Sequence, residues 1–289
     1  MARTTLSAGL LLRLGINTSQ SLMSDLFSVK RPDLKSALIS KKNVTATVDT
    51  LKNLRGAAMK FGQLLSLDET VILSPDLAAI FAQLQSSGYS MTPSQLKKVL
   101  NHNWGDDWLK HFKYFDVRPF AAASIGQVHR ASLKSGEVVA IKVQFPGVKQ
   151  SIDSDLATLK FIIKNSGTLP AKFPLDYYIT KCGDLLKRET NYELEAENIN
   201  LFSGFLNGSK VIHVPKVYNK LSTDQTLTMS FLEGRELSNI MEFDQSARDE
   251  ISLNLIELLF NEIFNFKMVQ TDPNLANFLL TRGGKSICI

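Results

Sequence analysis

The chain has 289 residues, 44% of them hydrophobic, enough to build one large domain or two lobes and too apolar for a largely disordered protein. Its two cysteines, Cys182 and Cys288, lie far apart without Cys-x-x-Cys spacing, so neither a disulfide framework nor a thiolate metal site is indicated and a reducing compartment is the simplest inference. The formal net charge of +5 is carried by scattered lysines with no dense basic run, which argues against nucleic acid and leaves an anionic membrane surface open; no stretch of eighteen apolar residues is present to span a bilayer.

Met1 to Ser24 contains no acidic residue, and Arg3 and Arg13 flank the apolar cluster Leu10 to Leu12. Such a segment suits a membrane interface or an organelle-targeting peptide, and equally an ordinary docking helix. From Val44 to Leu67, Leu51, Leu54, Ala58, Phe61 and Leu65 recur near helical spacing, with Lys60 and Gln63 on a neighbouring face. Further helices are expected over Ser74 to Gln85 and after Thr92-Pro93, where a cap residue precedes a first-turn proline. The first 110 residues thus read as a helical extension.

At Phe112 the pattern changes to β-branched and aromatic residues. Lys134-Ser135-Gly136-Glu137 separates two strand-like runs, Ser124 to Leu133 and Val138 to Gln144, as in a hairpin. Helices are expected over Ile152 to Lys164 and Leu175 to Leu206, and strands over Val211 to Tyr218 and Thr226 to Leu232, the last ending at Glu233-Gly234. A long helix over Ala247 to Phe266, with Ile251, Leu255, Leu258, Leu259 and Ile263 as its core side, leads into Thr271-Asp272-Pro273-Asn274-Leu275-Ala276-Asn277. Trp104 and Trp108 read as packing residues, and the four histidines share no ligand spacing.

Phosphoryl transfer needs a cation on the phosphates, an anion to hold that cation, and oxygen ligands for magnesium. Lys142, in Val-Ala-Ile-Lys, suits the first role, although a lysine in an apolar strand is commonplace. Glu195 suits the second, although the Glu-rich run Tyr192 to Asn198 also fits a solvated helix face. Asp272 and Asn277, five residues apart, match a catalytic-loop spacing in which a catalytic acid and a metal-binding asparagine converge, although Asp-Pro alone is a turn signal. Where nucleotide loops normally use glycine stands Ala121-Ala122-Ala123-Ser124-Ile125-Gly126.

Together with Lys60-Phe61-Gly62-Gln63, which looks like a Lys-x-Gly-Gln signature, these residues resemble the UbiB/ADCK atypical kinase-like family, associated with ubiquinone biosynthesis. The resemblance implies an α+β, protein-kinase-like bilobal fold with an N-terminal helical extension (1–110), an N-lobe with a helical insertion (111–233) and the start of a C-lobe (234–289). It implies ATP and Mg²⁺ as cofactors, with Lys142 and Glu195 as the ion pair, Asp272 as the catalytic-loop acid and Asn277 as a metal ligand. Ala121, Ala122, Ala123 and Ser124, with Phe231 and Glu233 at the end of the last N-lobe strand, are the nucleotide-binding candidates. Glu189 matches the first carboxylate of a Glu-x-Asp element near Lys60, while Asn191 stands where the second carboxylate is usual. Ser286 to Ile289 reads as the approach to the Asp-Phe-Gly metal ligand, so the C-lobe is expected to be truncated and nucleotide binding with magnesium weak.

Alanine adds a Cβ that restricts a phosphate loop, and a helix carrying Lys60 and Gln63 over the cleft would obstruct a peptide hydroxyl. Three outputs are compatible with these residues and with what the resemblance implies. ATP hydrolysis supporting a quinone pathway at a membrane surface, on the bacterial cytoplasmic or mitochondrial matrix face, is the leading one, with a membrane or quinone-precursor lipid and quinone-biosynthesis proteins as partners. A nucleotide-sensing lipid-binding module or chaperone is the second, and a true protein or small-molecule kinase the third.

Overall fold

The structure, a computed structural model, describes residues 54–66, 90–166, 169, 172–270, 275–281 and 286–289. The expected helix over Ser74 to Gln85, the Met1 to Ser24 segment and Asp272 lie outside the described residues. The chain divides into two compact units, each built from several stretches of sequence.

The first unit (1–95, 122–127 and 144–190) is mostly helical where it is described. Helix α1 (Arg55–Ser66) buries Ala57, Ala58, Phe61 and Leu65 and packs against α3 (Val148–Ser166) and α4 (Leu175–Glu189). Helix α3 contributes Ile152, Leu156, Leu159 and Ile163 at near-helical intervals, and α4 contributes Tyr178, Cys182 and Leu186. The approach of α4 to α3 is close at Gly183, where a Cβ would stand 3.1 Å from Leu156 Cδ1. Thr92 begins α2 (Pro93–Trp104) with a reciprocal capping box: Gln95 N–H donates to Thr92 Oγ1, and Thr92 N–H donates to Gln95 Oε1.

The second unit (96–121, 128–143 and 191–289) holds most of both sheets. Strands β1 (Phe112–Phe115), β3 (Gly126–Leu133), β4 (Val138–Gln144) and β6 (Thr226–Ser230) lie side by side in that order, with β2 (Ala121–Ala122) also on β3. The β3–β4 turn needs Gly136, whose φ of 101° an L side chain rarely adopts. Val139, Ile141 and Val143 are buried on β4, which runs antiparallel to β6 with Lys142 opposite Leu227. Trp108, Phe112 and Phe115 form an aromatic cluster against the buried His129, and Trp104 lies 5.6 Å from Phe112, so both tryptophans are packing residues.

A smaller sheet of β5 (Ile212–His213), β9 (Ile287–Cys288), β8 (Leu279–Leu280) and β7 (Arg235–Glu236) packs with α6 (Gln245–Phe260) around Ile212, Leu237, Ile251, Leu258, Phe278, Leu280 and Ile287. Asp244 caps α6 by accepting from Ala247 N–H, and its far end widens into a π-helical turn, Asn261–Phe266.

Three expectations are corrected. The helix expected over Leu175 to Leu206 is two helices: Asn191 leaves helical geometry (φ −109°, ψ 87°) and caps α5 (Tyr192–Phe205), its side chain accepting from Leu194 N–H at 3.1 Å. The strand expected over Val211 to Tyr218 survives only as β5 and a bridge from Val217 to Met229, because Pro215 has no N–H to donate to a ladder. On α6 and the π-helical turn that continues it, Ile251 and Leu258 are buried as expected, whereas Leu259 and Ile263 are exposed, as are Leu253, Ile256, Phe260 and Phe264.

Candidate nucleotide site

In the second unit, β4 carries Lys142 out of an otherwise buried apolar run, and its ammonium meets two residues from the first turn of α5. It donates to Glu195 Oε1 at 2.5 Å and lies 5.3 Å from the centroid of the buried Tyr192 ring. Tyr192 and Glu195 are three apart and share a helix face, so the Asn191 cap that fixes where α5 begins also fixes both partners of Lys142. The two charged side chains are 23% and 32% exposed, dry enough for the pair to hold a rotamer and open enough to accept a ligand.

At the end of β6, Phe231 is half-buried between Arg130, whose guanidinium stacks 4.6 Å from the ring centroid, and Phe120, edge-on at 5.3 Å. Arg130 is also 3.8 Å from Glu233 Oε1. Both charged partners are exposed, so this pair contributes little energy. Gly234 follows directly and admits no side chain: a Cβ there would fall 2.7 Å from Leu279 Cβ and 2.8 Å from the Leu280 carbonyl oxygen.

Within the first unit the alanine loop is a closed turn. Ala123 N–H donates to Gly126 O at 2.9 Å, Ile125 is buried, and the Ser124 hydroxyl donates to Glu189 Oε1. Glu189 Oε2 is 3.6 Å from Lys60 Nζ, so one carboxylate at the end of α4 joins the loop to the Lys-x-Gly-Gln helix. Gly56, one turn ahead of Lys60, lies against the same loop; a Cβ there would be 3.4 Å from Ile125 Cγ2. Cys182 Sγ lies 3.6 Å from the Ala57 carbonyl oxygen, and burial pushes this thiol up to about 12. A cavity of about 30 Å³ lined by Gly56, Ser124, Phe145, Ile152, Asp155 and Leu186 could hold a water molecule and is far below the size of a nucleotide site.

The structure therefore brings Lys142 to Glu195 within one unit, and Lys60 and Ser124 to Glu189 within the other. Ala121 and Ala122 form the exposed strand β2, and Gln63 is half-buried on α1. Asn277 is exposed at the end of the short turn Leu275–Asn277, just before β8, and its amide oxygen is the hard donor that Mg²⁺ prefers; Asp272, the expected catalytic-loop acid, lies outside the described residues. Among the described residues, no group of three or more His, Cys, Asp and Glu side chains is gathered as a metal site, and no helix is long and apolar enough to cross a membrane.

Sequence reasoning missed the Ser124–Glu189 bond, whose partners are 65 residues apart with no local signal, and the buried Glu262. Glu262 could have been suspected as an acid set in the mostly apolar run Leu258 to Phe264. Burial raises its carboxyl above the ordinary glutamate range, with bonds from Gln270 opposing that rise.

Residues 83–289 match the family model described as the ABC1 atypical kinase-like domain. The chain is 38% identical over 273 residues to the mitochondrial atypical kinase COQ8 of Saccharomyces cerevisiae, covering 94% of this chain and 54% of that protein. It is 37% identical to the mitochondrial atypical kinase COQ8B of Danio rerio, covering 93% of this chain and 44% of that protein. The chain thus spans about half the length of these curated relatives. Among solved structures it is similar to the Rv3197–erythromycin complex of Mycobacterium tuberculosis, with a TM-score of 0.57 and 26% identity, covering 88% of this chain and 64% of that one. The chain belongs to the ABC1 (UbiB/ADCK) atypical kinase family and has its α+β, kinase-like fold.

Proposed function

We propose that this chain binds ATP with Mg²⁺ and hydrolyses it in support of ubiquinone biosynthesis, peripherally at a mitochondrial membrane surface. The observation that carries the reading is the Lys142–Glu195 contact, a cation of quarter exposure held at 2.5 Å by a carboxylate from a different element. Such an anchored ammonium is pre-oriented for phosphate oxygens, and orientation of this kind contributes to catalysis without further rearrangement. Lys142 would meet the phosphates, Ala121 to Ser124 and the Phe231 to Glu233 segment would flank the nucleotide, Asp272 would serve as the catalytic-loop acid, and Asn277 would hold the metal, which supplies charge neutralisation when bound. Residues 1–110 are proposed as a helical extension bearing Lys60 and Gln63, 111–233 as the N-lobe and 234–289 as the beginning of the C-lobe. A mitochondrial setting is supported by the relatives, both named as mitochondrial. A quinone-precursor or membrane lipid and other quinone-biosynthesis proteins are the proposed partners.

A second reading, a nucleotide-sensing module without turnover, is favoured by one feature of the loop. The Ala123 amide and the Ser124 hydroxyl are both committed inside the first unit, leaving fewer donors for a transferring phosphate. Phosphate release from Mg-ATP, compared between the wild-type chain and Lys142→Ala, separates the readings. Turnover abolished by the substitution supports hydrolysis; tight ATP binding with no turnover supports the module; turnover unaffected by the substitution removes Lys142 from the site.

A further inference from the structure

We propose that Glu262 is the positioning residue of the Asp272 loop, acting by holding Gln270, two residues ahead of that aspartate. The inference rests on the function proposed above. Ordinary protein kinases place histidine where this chain has Gln270, and the structure supplies that glutamine with a dedicated partner eight residues back, in the preceding π-helical segment.

Glu262 is 3% exposed, unusual for a glutamate, and its oxygens take up the chain that leaves the helix. Its backbone carbonyl accepts from Lys267 N–H and from Met268 N–H, the latter at 3.0 Å, and its carboxylate Oε2 accepts from Gln270 N–H at 3.1 Å. The Gln270 side chain is a second hydrogen-bonding partner of the same carboxyl group. Between these contacts lies Lys267, at φ 55° and ψ 30° the single non-glycine residue of positive φ among the described residues. Left-handed geometry at a lysine persists only where its surroundings impose it, and here the two flanking bonds to Glu262 impose it. A buried carboxyl group is an expensive way to end a helix, since a glycine would do the same without it. What the carboxyl adds is a fixed exit direction for residues 268–270. A reacting group misplaced by about 1 Å can lose about a hundredfold in rate.

The test compares Glu262→Gln, which keeps an acceptor oxygen for Gln270 N–H, with Glu262→Ala, which removes it, in the full chain. Amide hydrogen exchange at Gln270 should keep wild-type protection in Glu262→Gln and lose about tenfold or more in Glu262→Ala. ATP turnover per folded molecule should follow, within about twofold of wild type for the glutamine variant and down about tenfold for the alanine variant, in kcat and with KM for ATP little changed. Equal protection in all three proteins overturns the proposal, and so does full turnover in Glu262→Ala. If the wild-type chain hydrolyses no ATP, the proposed function falls, and exchange at Gln270 still decides the positioning: loss in the alanine variant with rescue in the glutamine variant sustains it, and any other pattern overturns it.

Discussion

Replacing Glu195 with glutamine separates what the Lys142 anchor does for stability from what it does for function. At 2.5 Å and an effective dielectric constant of about 20, the gross attraction is on the order of 6 kcal/mol. Desolvation and lost rotamer freedom offset most of this, and pairs that keep contact with water contribute about 1 kcal/mol or less. Tyr192, whose ring centroid lies 5.3 Å from the ammonium in the wild type, offers a cation–π contribution of about 0.5–2 kcal/mol that does not depend on the carboxylate. Glu195→Gln should therefore lower stability by no more than about 1 kcal/mol, a fall in Tm of about 2–4 °C for a chain of this size. The rotamer is the greater loss: without a carboxylate, Lys142 samples orientations that miss the nucleotide, and ATP turnover should drop about tenfold or more. Because the carboxylate acts through the ammonium, the double variant Lys142→Ala/Glu195→Gln should be no slower than Lys142→Ala alone. Urea denaturation and steady-state phosphate release at matched folded concentration measure both sides. Wild-type turnover in Glu195→Gln, or losses that simply multiply in the double variant, would refute the anchoring argument.

Gly234→Ala forces a Cβ to within 2.7 Å of Leu279 Cβ, so β7 and β8 must part; a loss of about 1–3 kcal/mol is expected in thermal unfolding, and an unchanged Tm would contradict the packing. Asn191→Ala removes the α5 cap at a cost of about 1 kcal/mol, whereas Asn191→Asp caps equally well and should match wild type within about 0.5 kcal/mol; equal loss in both variants would show that the cap is not the cause. His129 is buried, its Nδ1 2.8 Å from the Asp116 carbonyl oxygen, and burial lowers it from the ordinary 6.5. The folded state thus binds this proton less tightly than the unfolded one. Its contribution to stability is full above pH 6.5 and is lost as pH falls toward the lowered folded value. A Tm measured across that window should slope downward with acid in the wild type and flatten in His129→Asn; parallel curves would exclude His129 as the source.

Much of the architecture was legible because its signals are local. Thr92-Pro93 announces a helix start, Lys134 to Glu137 a hairpin turn, and the Val138 to Gln144 run a buried strand that carries one lysine. The break at Thr190-Asn191 was not legible, because apolar spacing continues across it and only the capping geometry distinguishes one helix from two. The exposure of Leu259 and Ile263 escaped for the opposite reason: from Ile251 onward apolar residues lie on more than one side of α6 and of the turn that continues it, so periodicity could not say which side packs within these residues. Of the candidate site, Lys142 and Glu195 were found by order and residue type. The links from Ser124 to Glu189 and from Gln270 to Glu262 depend on how distant or reversing backbone brings single oxygens together, which no pattern of residue types encodes.

The sulfur at Cys182 offers a stopwatch for the first unit. With its proton held to about 12 and its face closed by Ala57 on α1, it can be alkylated only during moments when α1 lifts from α4. The labelling rate of that one peptide by iodoacetamide therefore counts how often the helix bearing Lys60 departs from the helix bearing Glu189, and a ligand that clamps the two together would slow the count.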